Sequence, residues 1–385
     1  MQKISVLAVF LFICLKCYSQ TIFGANNYTE YHPGQLPIII SVPHGGDLLP
    51  SGIPDRTCNS AVTVSDLNTI ELAQQIDAAF VTATGCHPYI IYCNLHRSKL
   101  DCNRNMADGA CGNVLAENAW NEFNNFIATA QASAQNEFGG KALYIDLHGH
   151  GNPIQRLELG YLLYDNELAF TDSVLNTPQY IGYSSIQHLV STNLNGYSHA
   201  ELLRGNNALG TLLGNAGYPS VPSQQIPFPG TTTNYYSGGY NTANHTSYAV
   251  GNTVNGLQIE CNYTDVRDNF VNRQLFAESL VSVLHQFLLH HQGINLLNCS
   301  LAAEPNTAAI QSLTISPNPA TDFLYVNFTQ NSINFDIEII DFLGQTICKV
   351  SNQNKVDIHH FQRGIYLVKV TDEQNNVVVN KILFQ

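Results

Sequence analysis

The chain reads as an α/β protein with a largely parallel sheet, followed by a small all-β module. Three observations predict this. Short apolar runs recur up to about residue 261, helical patterns lie between them, and past residue 312 the pattern changes to short alternating strands. Strands that alternate with helices make layered folds with parallel sheets, whereas closely spaced alternating strands make antiparallel ones.

The first run, Ile38-Ile39-Ile40-Ser41-Val42, is apolar apart from Ser41, as a strand buried on both faces requires. Similar runs are Tyr89 to Cys93, Ala142 to Leu147, Leu159 to Leu163 and Leu257 to Cys261. Asn68-Thr69-Ile70-Glu71 has the form of a capping box, with Ile70, Ala73, Ile76 and Phe80 following at helical spacing. Further helices are predicted from Val114 to Gln131 and from Asn272 to His290. Residues 218–256 are rich in Pro, Gly, Ser, Thr, Asn and Tyr and read as a long structured loop over the site. A small, polar linker covers 301–311. Beyond it, 312–385 form the all-β module, with turns at Gly344 and Gly364.

The 385 residues are 44% hydrophobic and 12% charged, enough apolar material for a large core. A net charge of −13 with only 16 Lys and Arg argues against a nucleic-acid partner or a grip on anionic lipid. Residues 1–20 read as a signal peptide, with Lys3 ahead of an apolar run from Ile4 to Leu15. No later segment is long and apolar enough to span a membrane, so the mature chain is expected to be secreted or held at the outer cell surface. Eight cysteines follow the leader, and in an exported protein some should pair. Cys102 with Cys111 and Cys58 with Cys86 are the expected pairs.

The chemistry gathers at strand ends. His44-Gly45-Gly46-Asp47 follows one strand, and Asp146-Leu147-His148-Gly149-His150 ends another. Ligands and reacting groups in such sheets collect beyond the carboxyl ends of the strands. Two imidazoles and a carboxylate can hold a catalytic zinc and leave a coordination position open. His44, Asp47 and His148 are therefore the candidate ligands of one Zn2+ per chain. Asp146 is a candidate orienting partner, and His150 an alternative ligand or supporting group. Glu260, ending its own apolar strand, is the candidate general base, since a buried carboxylate needs a role or a partner. Arg97, Lys99, Asn103 and Arg104 lie close together in a chain poor in basic residues. An arginine there can fork a substrate carboxylate or stabilise an oxyanion.

Together these residues resemble the N-formylglutamate amidohydrolase family, which is similar in fold and site to zinc carboxypeptidases. The carrying pieces come in family order over about residues 36–290. They are Pro43-His44-Gly45-Gly46, the prolines Pro50 and Pro54, Asp66 with Leu72-Ala73, and Asp101-Cys102-Asn103-Arg104. Asp146-Leu147-His148, Tyr236-Ser237-Gly238-Gly239-Tyr240 and Gln258-Ile259-Glu260-Cys261-Asn262 complete the set. The resemblance implies a three-layer, mostly parallel mixed sheet of the zinc carboxypeptidase/phosphorylase-hydrolase type over residues 21–300. It implies hydrolysis of an amide of an N-acyl amino acid or peptide. Arg97 would polarise the scissile carbonyl, and Asn103 with Arg104 would hold a substrate carboxylate. A metallocarboxypeptidase, a γ-glutamyl or cell-wall amide hydrolase, and a non-catalytic surface binding protein are the alternative readings of the same scaffold.

The end of the chain resembles the C-terminal sorting domain of the type IX secretion system of Bacteroidetes. The resemblance rests on Ser316-Pro317-Asn318-Pro319-Ala320, Ile339-Ile340-Asp341-Phe342-Leu343-Gly344, Gly364-Ile365-Tyr366-Leu367-Val368-Lys369-Val370 and Lys381-Ile382-Leu383-Phe384. It implies type IX secretion machinery as a partner.

Overall fold

Eight strands form one mixed sheet. They are β1 (Ile22–Phe23), β2 (Thr29–His32), β3 (Ile38–Val42), β4 (Tyr89–Cys93), β5 (Leu143–Gly149), β6 (Leu157–Gly160), β7 (Ser220–Val221) and β8 (Asn255–Cys261). Their spatial order is β1-β2-β4-β3-β5-β8-β6-β7. The central strands β4, β3, β5 and β8 run parallel, while β2 and β6 pair antiparallel to their inner neighbours. The computed structural model describes residues 21–58, 61–230, 234–299, 313–328, 334–340, 346–361, 363–372 and 377–384, so the expected signal peptide and linker lie outside the described residues. The chain divides into two units, Met1–Ser300 and Leu301–Gln385.

The apolar strands are apolar on both faces because both faces are covered. Ile38, Ile40, Leu143, Ile145, Leu257 and Ile259 pack into one cluster with helices α1 (Thr69–Thr84) and α3 (Phe270–Gln292). Ile39, Tyr89, Ile91 and Tyr144 pack on the other side with Phe123 and Ile127 of α2 (Val114–Glu137). The result is three layers around two sheets of side chains.

Near the carboxyl ends of the strands the second face turns polar. Ser41, Asp146 and Gln258 stand in one row across β3, β5 and β8. His148, Glu260 and Glu158 stand in the next row across β5, β8 and β6. Side chains alternate along a strand, so both rows face the same way and build the floor of the candidate site.

Several elements differ from expectation. The strand expected at Leu159–Leu163 is β6, Leu157–Gly160; Leu162 sits at φ 68°, outside strand geometry, and its N–H donates to Ser237 O. The short strands β1, β2 and β7 and a series of short helices between Asp165 and Asn215 carry little periodic signal. Asn68 makes no capping bond to α1; it adopts φ 64°, and its amide donates to Arg267 O at 2.8 Å. The described residues of 218–256 are mostly irregular, with β7, the helical turn Tyr240–Asn244 and the start of β8 among them.

The cysteine pairing is corrected. Disulfides join Cys58 to Cys111 and Cys86 to Cys299, not Cys102 to Cys111 or Cys58 to Cys86. Cys102 is a buried free thiol, turned into the core beneath α2.

The second unit holds two antiparallel sheets. One contains β9 (Leu313–Ser316), β10 (Phe323–Phe328) and β13 (Lys355–Asp357). The other contains β11 (Phe335–Ile340), β12 (Thr346–Ser351), β14 (Gly364–Asp372) and β15 (Val377–Phe384). Leu324, Val326, Ile337, Ile339, Val368 and Val370 form its core. Gly344 lies outside the described residues.

Candidate metal centre

His44 follows β3, and Pro43-His44-Gly45-Gly46 carries the chain tightly past neighbouring backbone. A Cβ on Gly46 would lie 2.3 Å from the Asn94 backbone, so only glycine fits. From Gly46 onward the chain extends and bridges to the 94–96 segment, with Leu48 N donating to Asn94 O and His96 N to Leu48 O. This extension turns Asp47 outward, where it is exposed. The local backbone therefore does not bring the expected ligand Asp47 together with His44 and His148. Three-residue spacing would bring them together in a tight turn, but not in an extended chain.

The carboxylate beside the two histidines is Asp66. Candidate ligand atoms of His44, Asp66 and His148 all lie within 4.8 Å of one another, and all three residues are buried. Asp66 stands in the loop ahead of α1. Its N–H donates to His44 O at 3.0 Å, and its Oδ2 accepts from Gly149 N at 3.1 Å. The buried Arg267 braces this loop, donating to Cys261 O, His150 O and Leu67 O. A Cβ on Gly149 would lie 2.2 Å from the Arg267 guanidinium carbon, so glycine is needed where the two pass.

Each imidazole is held from behind. Nε2 of His44 lies 2.7 Å from Asp101 Oδ1, and Nε2 of His148 lies 2.8 Å from Asp146 Oδ2. Those carboxylates assign the proton to Nε2 and leave Nδ1 of both rings toward Asp66, at 3.4 and 3.2 Å. His44 Nδ1 is buried and makes no hydrogen bond. Two carboxylate-backed imidazoles and one carboxylate are the donor set and supporting pattern of a zinc site with open positions. The residues fit such an ion. Another group of possible ligands among the described residues, Asp357, His359 and His360, is exposed throughout.

The supporting carboxylates are themselves tied. Asp146 Oδ1 accepts from Ser41 Oγ at 2.6 Å and Asn241 Nδ2 at 3.2 Å. Asp101 Oδ2 accepts from Arg97 Nε at 3.1 Å and lies 3.6 Å from Arg56 Nη2. Burial works against the charge on Asp66, yet His44 and His148 hold its carboxyl well below the usual range. Burial likewise opposes an imidazolium at His148, but the Asp146 carboxylate, then Asp66, lift it well above the ordinary histidine value. A cation held in this cage would take the place of a proton.

Glu260 is buried. Burial, with the nearby Asp66 and Glu158 charges and against the pull of His148 and Arg97, pushes its carboxyl up to about 8. Gln258 Nε2 donates to Glu260 Oε1 at 2.9 Å. Arg97 lies beside the triad, with Nη1 3.5 Å from Asp66 Oδ1. Arg104 is 42% exposed and stands at the rim, 3.9 Å from Asp101. Asn103 is engaged by protein groups. Its Oδ1 accepts from Asn241 N at 2.8 Å, and its amide nitrogen lies 3.2 Å from His148 Nε2. It ties the 239–241 segment over the site. His150 spends both ring nitrogens on its own loop, on Asn152 N and Arg156 O, and stays out of the triad.

Asp66 and Asp101 are the residues whose roles sequence reasoning missed. Both appear in family-like motifs, but neither lies near His44 or His148 in sequence. The available signal for Asp66 was a carboxylate in a strand-to-helix loop, where such sheets gather their functional groups.

Residues 314–385 match the secretion system C-terminal sorting domain family. That match marks the chain as an exported protein handled by type IX secretion machinery. Among the described residues no helix is long and apolar enough to cross a membrane. Over 89 residues the chain is 32% identical to an endo-acting ulvan lyase of Formosa agariphila, covering 22% of this chain and 17% of that protein. The succinylglutamate desuccinylase of Chromobacterium violaceum overlaps 76% of this chain and 81% of its own, with 12% identity and a TM-score of 0.30, too loose to bear on the chemistry.

Proposed function

We propose that the first unit is a zinc-dependent amide hydrolase on a zinc carboxypeptidase-type scaffold, delivered to the cell exterior by its sorting domain. Its resemblance to N-formylglutamate amidohydrolases points to an N-acyl amino acid or peptide as substrate. The observation that carries the reading is the convergence of two carboxylate-backed imidazoles and Asp66 on one buried point, with Glu260 alongside.

His44, Asp66 and His148 would hold the ion. When bound, it would polarise a scissile carbonyl and acidify an attacking water. Glu260 takes the proton from that water and returns it to the leaving amine. Arg97 lends positive charge to the developing oxyanion, and Arg104 at the rim offers a fork for a substrate carboxylate. Gln258 fixes the Glu260 carboxylate in place.

Elemental analysis of the full exported chain tests the reading. About one zinc per chain is expected, lost in His148→Ala, together with turnover on a panel of N-acyl amino acids and dipeptides. Correctly folded protein that takes up no zinc when zinc is supplied would overturn it.

A further inference from the structure

The second unit carries a set of metal-ligating side chains of its own, in Asp357-Ile358-His359-His360. Asp357 closes β13, an edge strand of its sheet, and the two histidines stand in the turn that follows. One ligand atom from each of the three residues lies within 4.8 Å of the others. Asp357 Oδ1 is 2.5 Å from Nδ1 of His359 and 4.0 Å from Nδ1 of His360. The two rings stand at 80° with their centroids 5.3 Å apart. All three side chains are exposed, so an ion reaches them without opening the core.

The backbone beneath them is fixed. Val356 and Ile358 are buried in the core of the unit, which leaves Asp357 between them on the opposite, exposed side. Ile358 N donates to Asp322 O at 2.9 Å, His359 N to Asp357 Oδ1 at 3.1 Å, and Phe361 N to Ile358 O at 3.0 Å. With the turn set by these bonds, only side-chain torsions remain to be ordered when an ion binds, which keeps the cost of binding low.

We infer that Asp357, His359 and His360 bind one divalent transition-metal ion of the class that imidazole prefers, Cu2+, Ni2+ or Zn2+. Two ring nitrogens and one carboxylate oxygen supply the donors, and water fills the remaining positions. Mg2+ and Ca2+ prefer shells of oxygen and are not held. The ion stands where a proton otherwise links His359 to Asp357. A three-donor chelate open to solvent releases its ion more readily than the buried triad of the first unit, so dialysis separates the two.

The test is a calorimetric titration of NiCl2 into the untagged full chain, with the first-unit site loaded with Zn2+ and the excess dialysed away. One saturable Ni2+ per chain is expected, retained in His148→Ala and not reproduced by MgCl2. His359→Ala and His360→Ala should each weaken it by at least about tenfold, since even groups behind metal ligands are worth about 10–100-fold. No saturable Ni2+ binding by the parent, unchanged affinity in both variants, or loss of binding in His148→Ala overturns the proposal. A second readout needs no variant. Cu2+ with ascorbate should oxidise His359 and His360 of the parent ahead of its other exposed histidines, read by peptide mass; oxidation that spares both residues overturns the proposal as well.

Discussion

His148 and Glu260 are register partners on the neighbouring parallel strands β5 and β8, so a candidate ligand and the candidate base face the same way at the same height of the sheet. Neither depends on a flexible loop for its position. Glu158 extends the row from β6, and its charge is one of the influences that keep the Glu260 carboxyl high. Sites built on strands hold reacting groups more tightly than sites built on loops.

The ligand set separates two aspartates. Asp66→Asn is expected to lose zinc, while Asp47→Ala keeps it, because Asp66 lies within the triad and Asp47 is exposed. Zinc content after dialysis against a weak chelator distinguishes them. Equal retention by both variants would remove Asp66 from the set.

The carboxylates behind the histidines should tune affinity rather than create it. Asp101→Asn and Asp146→Asn are each expected to weaken zinc binding by roughly 10–100-fold. Each keeps a hydrogen-bond acceptor near Nε2 but loses the charge that makes the ring a better donor. Competition with a chromophoric chelator measures the change.

Glu260→Gln should retain zinc and abolish turnover. In metal-free protein the same variant should also change the pH dependence of stability. The folded carboxyl titrates near 8 and the unfolded one near 4.5, so the folded state holds the extra proton between those values. Its contribution is present below about 4.5 and is lost as pH rises through 8. The parent should therefore lose up to about 1.4 kcal/mol per pH unit relative to Glu260→Gln across that window. Urea melts of both proteins from pH 5 to 9 read this out, and parallel slopes would refute the buried, proton-holding carboxyl.

Cys86 and Cys299 are 213 residues apart and tie the end of the first unit to the turn after α1. Cys86→Ser is expected to destabilise that unit by about 2–5 kcal/mol without removing zinc from the folded protein. Chemical denaturation with parallel zinc analysis tests both halves.

Much of the layer structure was legible in local sequence. Runs such as Ile38–Val42 and Tyr89–Cys93 are apolar at consecutive positions, and only a strand covered on both faces uses that pattern. Strand ends also marked His44, His148 and Glu260. β1, β2 and β7 were not legible, because two to four residues carry no period and pairing partners define them.

Local sequence marked which strands lie inside the sheet, where the chain changes to an all-β module, and which histidines stand at strand ends. Those properties follow from the residues' own hydrophobicity, periodicity and order. Long-range chain packing set Asp66 rather than Asp47 beside the histidines, Asp101 behind His44, and Cys111 against Cys58. The reason is physical. Backbone extension turned the sequence neighbour Asp47 away from His44, while chain crossings brought in carboxylates and a thiol from far along the sequence.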